Sequence, residues 1–419
     1  MAVVPSRPLP PGIPPDWAGA RRLFMEATAG LACRDLLHVD NPSCAGAWRD
    51  MMFDCLLGAT KFFVPFYAVH LLWNGRKALA GDKAFYRQMA YYYARSIVFG
   101  VCVGLTFSVT SCGVVRLTNG FSFWTSVFVP GALSGLAILI EHVYRRRIVM
   151  NTFFNMTLHY LYIRAQVAGL VRRTATGETA FFMAANALLM YLLHKASTRK
   201  EKKATIFWFY IPESERRESR ELRKKRCPAP HKGACWNSAL QASARYSALA
   251  ASLQALRILM SQGGKIASSP MTFIRELISK RTFAGITSIG GYVLLYKIVR
   301  CALASWYGYD RCENSAVAGL ISGTAYWLQP NTTILISAVT AIIRLLYDYL
   351  PKPLSALGQW PMPEILFALC NGILFHARCM DMAHCPMFMI RMMDTATHNR
   401  SKLIYATYLK LIDKVQANT

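Results

Sequence analysis

The sequence is poor in charged residues, above all in acidic ones. Asp, Glu, Lys and Arg make up 17% of the 419 residues, against about 25% in soluble globular proteins. The acidic residues number 22 and the basic ones 48, which gives a formal net charge of +26. Hydrophobic residues reach 54%, and the mean hydropathy is +0.25. This composition excludes a disordered protein, a collagen-like protein and an ordinary soluble enzyme, and it predicts a multi-pass membrane protein.

The sequence patterns that mark common catalytic sites are missing as well. The chain has no Walker loop, no His-Glu-x-x-His, no Gly-x-Gly-x-x-Gly and no Gly-x-Ser-x-Gly. We therefore expect neither enzymatic activity nor a cofactor. The first 15 residues contain six prolines, and no apolar run follows them, so we also expect no secretory signal peptide. The 12 cysteines are then expected to be free thiols or metal ligands rather than a disulfide framework.

Ten apolar segments are separated by short charged blocks. The strongest, residues 97–115, has no charged side chain and nearly crosses a hydrocarbon core of about 30 Å as a helix. Because backbone polar groups in lipid must be satisfied within the segment, the sequence predicts an all-α fold, a bundle of about eight to ten transmembrane helices. The segments lie at 51–73, 95–115, 121–143, 149–171, 179–193, 237–260, 283–305, 313–329, 332–350 and 363–378.

The two halves of the chain share a sequence motif at a constant offset. Val-x-Gly-x-x-Ser-Gly-x-Ala occurs at residues 129–137 and again at 317–325, and Trp48 aligns with Trp236 in the same register. We interpret this as an internal duplication. The predicted organisation is a Pro-rich and Cys/His-rich lead (1–47), a first membrane repeat (48–194), a basic inter-repeat loop (195–235), a second membrane repeat (236–380) and a C-terminal tail (381–419).

The basic loop is the most charged part of the sequence. Residues 195–232 contain thirteen Lys or Arg and five Asp or Glu. Such a loop suits an anionic membrane surface or a targeting receptor, and it is equally typical of a solvated linker whose charge sets topology. The partners we expect are the lipid bilayer and cytosolic organelle-fission machinery, without nucleic acid.

Three groups of residues are candidates for special roles. Glycines at small-xxx-small spacing predict close helix packing: Gly131, Gly135, Gly319 and Gly323. Charged residues within apolar segments are candidates for a polar transport path or for structural pairing near helix ends: Glu141, Arg164, Lys297, Arg300, Arg344 and Asp348. Two Cys/His clusters offer three metal ligands each: Cys33, His38 and Cys44, then Cys227, His231 and Cys235. Their spacings match no standard zinc finger, so we expect no bound metal.

Four stretches of the sequence resemble the transmembrane protein 135 family over roughly residues 33–350. The likeness lies in Cys33-x4-His38-x3-Pro42-Ser43-Cys44, in Pro65-x-Tyr67, in Ala137-Ile-Leu-Ile-Glu141 followed by Arg145-Arg146, and in Ala318-Gly319 through Gly323 followed by Thr332-Thr333-Ile334. Asn41 stands where the family pattern has a histidine, and the basic loop and the last fifty residues match less well. The second half is also distantly similar to the channel family of the mitochondrial inner-membrane protein translocase.

The resemblance implies a non-enzymatic membrane protein of mitochondria and peroxisomes. Such a protein would influence the fission–fusion balance, peroxisome organisation and fatty-acid metabolism. Two mechanisms compete. In the first, the protein is a regulator that recruits fission machinery through its basic loop and termini. In the second, the duplicated bundle is a transporter or channel for a lipid or small metabolite, and the charged residues within its helices line the path.

Overall fold

The computed structural model describes residues 17–74, 79–171, 174–198, 227–229, 231, 234–269, 271–349 and 361–417. Within these residues the secondary structure is helical, as the composition predicted. Most of the basic loop, residues 199–226, lies outside the described residues. The helices are α1 (Trp17–Ala27), α2 (Cys33–Leu36), α3 (Cys44–Trp73), α4 (Lys83–Leu117), α5 (Thr125–Gly135), α6 (Val143–Val167), α7 (Ala175–Thr198), α8 (Cys235–Ser268), α9 (Met271–Leu277), α10 (Lys280–Tyr307), α11 (Cys312–Ser322), α12 (Thr332–Tyr349), α13 (Met362–Met380), α14 (Met387–Ala396) and α15 (Arg400–Ala417).

Three of these helices are long and apolar enough to cross a membrane: Lys83–Leu117, Ala175–Ala196 and Lys280–Tyr307. Two shorter apolar helical segments, Thr125–Ile140 and Thr332–Tyr347, accompany them. In Lys83–Leu117 only 22% of the most apolar window is buried inside the protein. Most side chains in this apolar stretch are only partly covered by the rest of the protein, which suits contact with lipid, so the chain has the character of a membrane protein.

Local sequence explains where the long helices begin and end. The Asp82 carboxylate accepts hydrogen bonds from the first backbone N–H groups of α4, and the Ser279 hydroxyl does the same for α10. Helix α10 ends at Gly308, whose φ of 71° lies in the left-handed region that glycine tolerates best. Helices α5 and α11 each continue as a 3₁₀ segment, Leu136–Ile140 and Gly323–Leu328.

The described residues form two compact units. The central unit lies within Arg172–Pro351, and the flanking unit combines Ala2–Val171 with Lys352–Thr419. In the flanking unit, α3 packs against α4, α4 against α5, and α13 against both α5 and α6. Its core contains large side chains with almost no exposure, among them Phe123, Tyr160, Phe367, Leu374 and Met389.

The central unit shows the same order of helix contacts. Helix α8 packs against α10, α10 against α11, and α7 against both α11 and α12. The correspondence pairs α3 with α8, α4 with α10, α5 with α11, α6 with α12, and α13 with α7. One helix of each unit, α7 or α13, therefore comes from the other half of the sequence. Helix α7 follows α6 along the chain but packs with α11 and α12, whereas α13 follows α12 but packs with α5 and α6.

The Gly-x-x-x-Gly motif of the flanking unit lies where α5 meets α13. A Cβ atom added to Gly131 would lie 3.0 Å from the Cα atom of Gly372, and one added to Gly135 would lie 2.6 Å from the Cα atom of Ala368. The contact at Gly135 leaves no room for a side chain, and at Gly131 the neighbouring backbone would have to shift by a few tenths of an ångström. The buried Asn371 amide donates hydrogen bonds to the Gly131 carbonyl (2.7 Å) and to the Ser134 hydroxyl (3.0 Å).

The second Gly-x-x-x-Gly motif makes the equivalent contact between α11 and α7 in the central unit. A Cβ atom at Gly319 would lie 2.9 Å from the Asn186 carbonyl oxygen, and one at Gly323 would lie 2.8 Å from the Cα atom of Met183. The buried Asn186 amide donates to the Gly319 carbonyl at 2.6 Å, and its own oxygen accepts from the Tyr292 hydroxyl at 2.9 Å. The two units thus repeat both the close backbone approach and the asparagine that bridges it.

Candidate functional site

The flanking unit contains a partly open cavity of about 390 Å³, within the range of about 300–1,000 Å³ that is usual for small-molecule sites. Its walls come mainly from α3, α4, α6 and α13, and from α14 and α15 near the C-terminus, with single residues from α1 and α2 and two from α5. Aromatic side chains supply much of the surface, among them Phe63, Phe99, Phe107, Phe153, Phe367 and Phe375. The body of the cavity therefore suits an apolar ligand.

One end of the cavity is polar. The Ser96 hydroxyl donates to the buried Glu141 carboxylate at 2.7 Å, and the Arg145 guanidinium donates to the Ser96 hydroxyl at 3.0 Å and to the Tyr67 hydroxyl. The guanidinium carbon lies 5.0 Å from the ring centroids of both Tyr67 and Tyr92. Hydrogen bonds and two aromatic faces hold this cation in one place.

The polar end gives the cavity an amphipathic character. Glu141 is only 2% exposed, and a buried carboxylate requires a nearby cation or hydrogen-bond donors. Arg145 supplies the positive charge through the shared Ser96 hydroxyl. A guanidinium fixed at the end of an apolar cavity can recognise a carboxylate or phosphate while the walls hold a hydrocarbon chain.

A second buried charge cluster in the flanking unit surrounds Arg164. Asp381 lies 3.5 Å from the Arg164 guanidinium and 2.5 Å from the His384 ring, and it accepts from the Tyr160 hydroxyl at 3.0 Å. Arg164 also stacks over the Trp17 ring at 4.7 Å. Arg164 does not line the cavity, and its ion pair with Asp381 agrees with a structural role.

The other charged residues considered for a transport path belong to the central unit. Arg300 forms a short ion pair with Asp310 at 2.6 Å, and Lys297 lies one turn earlier on α10. Arg344 is partly buried on α12, and the side chain of Asp348 lies outside the part that the structure describes. Of the residues predicted for a transport path, Glu141 lines the cavity of the flanking unit. Lys297, Arg300 and Arg344 belong to the central unit.

The structure adds one cysteine to each Cys/His cluster. Cys112 of α4 joins Cys33, His38 and Cys44, and the potential ligand atoms of these four residues all lie within 4.8 Å of one another. Cys301 of α10 joins Cys227, His231 and Cys235 within the same limit. Burial, reinforced by the neighbouring Cys44 thiol, raises the pKa of the Cys33 thiol, so that this group is protonated at neutral pH without a bound cation.

No protein-family model matches the chain. No solved structure matches it either. The interpretation of both kinds of site therefore depends on their geometry.

Several residues of the candidate site have no signal in the sequence that sets them apart. Ser96 is an ordinary member of an apolar segment. Tyr67 and Arg145 lie in stretches that carry the family resemblance, but the sequence analysis named neither of them as a site residue. Cys112 and Cys301 each lie alone within an apolar helix, where cysteine is typical of a packed core. In the structure both cysteines lie about one turn and a half before the end of their helices, α4 and α10.

Proposed function

We propose that the protein spans the peroxisomal or mitochondrial membrane as a duplicated helical bundle, binds a single-chain lipid of the long-chain fatty-acid class, and moves it across that membrane. The observation that supports this function is the aromatic cavity of the flanking unit with Arg145 at one end. The choice of organelle and the link to fatty-acid metabolism follow from the resemblance to the transmembrane protein 135 family.

The chemistry of the polar end favours a carboxylate head group. Among the described residues, the hydrogen bonds of the Arg145 guanidinium to Tyr67, Ser96 and Tyr92 all use Nη1. Its Nε and Nη2 sides are then available to donate a bidentate pair, the arrangement that carboxylates accept best. Glu141 keeps the guanidinium in place through Ser96, and the hydrocarbon chain packs along the phenylalanines.

The alternative hypothesis, a regulator that recruits fission machinery, depends on the basic loop. Residues 199–226 of that loop lie outside the described residues, so the regulator hypothesis stays a prediction from the sequence. The absence of enzymatic activity also stays a prediction.

Replacing Arg145 by glutamine is expected to weaken palmitate binding roughly 10- to 100-fold, because charge-assisted hydrogen bonds contribute about 1.5–3 kcal/mol. The measurement is equilibrium binding of radiolabelled palmitate to the full chain in lipid nanodiscs, with empty nanodiscs subtracted. Arg147→Gln is the matched control, since Arg147 carries the same charge two residues away and is exposed. The uncharged alcohol of the same chain length should bind both variants equally.

A second pair of variants tests the hydrocarbon part of the site. Val103 lines the cavity, whereas Val98 on the same helix is 50% exposed. Val103→Trp should abolish palmitate binding and the flux of palmitate into proteoliposomes, and Val98→Trp should leave both unchanged. Wild-type protein that binds no palmitate above the empty nanodisc, or equal losses in both members of either pair, would contradict the proposal.

The proposed location has its own test. Organelle fractionation of cells that express the tagged full chain should place it with peroxisomal or mitochondrial membranes, in the fraction that alkaline carbonate does not extract. Recovery in the endoplasmic reticulum or plasma membrane would show that the family resemblance misleads about location, without affecting the lipid-binding result in nanodiscs.

A further inference from the structure

We infer that each unit holds one structural zinc ion, ligated by three cysteine thiolates and one histidine. The first site is Cys33, His38, Cys44 and Cys112, and the second is Cys227, His231, Cys235 and Cys301. This set is one of the standard ligand combinations of structural zinc, and its thiolates select zinc over magnesium or calcium. The inference is independent of the proposed lipid site.

Two distances between ligand atoms of the first site fit a tetrahedral zinc ion. Zinc bonds of about 2.3 Å to sulfur and 2.0–2.1 Å to nitrogen separate two ligands by roughly 3.4–3.8 Å. The Sγ atoms of Cys33 and Cys44 lie 3.6 Å apart, and the Cys44 Sγ lies 3.4 Å from the His38 Nε2 atom. Both distances match the edge of such a tetrahedron.

The histidine of the first site is oriented as a zinc ligand. The His38 Nδ1 atom lies 2.7 Å from the Asn41 carbonyl oxygen, and a ring N–H at that position leaves the lone pair of Nε2 facing the thiols. The Asn41 side chain is held in turn, because its amide donates to Asp50 at 3.0 Å and its oxygen accepts from the Ser43 N–H at 3.1 Å. The carbonyl that orients the ring is therefore part of a fixed turn.

Charge and burial indicate a structural rather than a catalytic ion. Zinc with three thiolates has a net negative charge, and the Arg116 guanidinium lies 3.3 Å from the Cys44 Sγ atom, one turn after Cys112 on α4. Cys33, His38 and Cys112 are buried. A closed site with four protein ligands leaves no position for water or substrate.

The second site repeats the first at equivalent places in the helix pattern. Cys44 and Cys235 are each the first residue of a long helix, α3 in the flanking unit and α8 in the central unit. Cys112 and Cys301 each lie near the C-terminal end of the long helix that packs against it, α4 against α3 and α10 against α8. The remaining cysteine and the histidine of each set lie a few residues before Cys44 and Cys235 in the sequence. Two copies of one ligand set at corresponding positions are difficult to explain by core packing alone.

A disulfide accounts for the clusters less well. A disulfide bond brings two sulfur atoms to about 2.05 Å, whereas the Cys33 and Cys44 Sγ atoms are 3.6 Å apart. It would also leave one thiol and one histidine without a role in each cluster. If the cluster binds zinc, all four side chains have a role as ligands.

The test is the metal content of the full chain, purified in detergent without chelator and without added metal. Mass spectrometry of the metals should give two zinc ions per chain, one for each cluster. Cys112→Ser and Cys301→Ser should each lose one zinc ion, and the double variant should lose both. Cys102→Ser and Cys312→Ser, matched controls outside the clusters, should keep both ions. Cobalt exchanged into the wild type should give the thiolate charge-transfer and tetrahedral visible bands.

Variants of His38 test the first zinc site independently, in case the serine variants fail to fold. His38→Cys preserves four ligands and should retain both zinc ions, while His38→Leu should lose the first ion alone. Wild-type protein without zinc, zinc content unchanged in Cys112→Ser, iron in place of zinc, or a Cys33–Cys44 disulfide found by peptide mass mapping would each overturn the inference.

Discussion

Replacing Asp394 by leucine is expected to destabilise the flanking unit by about 3–5 kcal/mol, because it leaves a buried guanidinium without its counter-ion. Arg378 on α13 is 2% exposed, and its Nη2 atom lies 2.6 Å from the Asp394 carboxylate on α14. The same carboxylate accepts from the Ser401 hydroxyl at 2.7 Å at the start of α15. The loss should lower the melting temperature by roughly 6–20 °C for a unit of this size. The measurement is thermal unfolding of the full chain in detergent.

A double variant separates loss of the ion pair from loss of packing. Arg378→Met combined with Asp394→Leu removes both charges, so most of the stability should return, because a buried pair replaced by apolar side chains is often neutral. Asp413→Leu is the matched control, since Asp413 is exposed on α15 and its removal should cost less than about 0.5 kcal/mol. An Asp394→Leu protein that melts with the wild type, or a double variant no more stable than the single one, would show that the pair is not the main contact between these helices.

Helix content and helix positions can be predicted from this sequence because they depend on local composition. Each of the ten apolar segments has its centre in a helix, from α3 to α8, in α10 to α12 and in α13. The motif at 129–137 and 317–325 lies on α5 and α11 with their 3₁₀ continuations, which make equivalent contacts. Glycine spacing predicts close approach without any knowledge of the partner helix. Local signals such as apolar segments and glycine spacing therefore predict helices and close contacts well.

The sequence does not predict which helices pack against each other, because packing between distant segments leaves no local signal. The sequence divides the chain into halves at the basic loop, whereas α7 and α13 each complete the unit of the other half. Nothing in the hydropathy of α7 tells whether it packs with α6 or with α12. The same holds for Cys112, the fourth member of the first Cys/His cluster, which is far along the chain from Cys44. Spacing within a cluster predicted no metal, and the full ligand set is visible only in three dimensions.

Replacing Gly135 by leucine is expected to cost roughly 3 kcal/mol or more, the upper end of the usual effect of overpacking, because its neighbour is backbone. A Cβ atom at Gly135 would lie 2.6 Å from the Cα atom of Ala368, and backbone cannot rotate away as a side chain can. Gly323→Leu should have a similar effect on the central unit, since a Cβ atom there would lie 2.8 Å from the Cα atom of Met183. Both effects are measured as a lower melting temperature of the full chain in detergent, by roughly 6–12 °C.

Two other glycines of the long apolar helices serve as control positions. A Cβ atom at Gly113 of α4 or at Gly291 of α10 meets no atom within 4 Å. Leucine there should be neutral or should stabilise the helix by up to about 1 kcal/mol, since leucine forms helices better than glycine. Equal losses at all four glycines would indicate a general intolerance of bulk in the bundle. Losses at Gly135 and Gly323 alone would locate the tight contacts where α13 meets α5 and α7 meets α11, as the exchange of these helices requires.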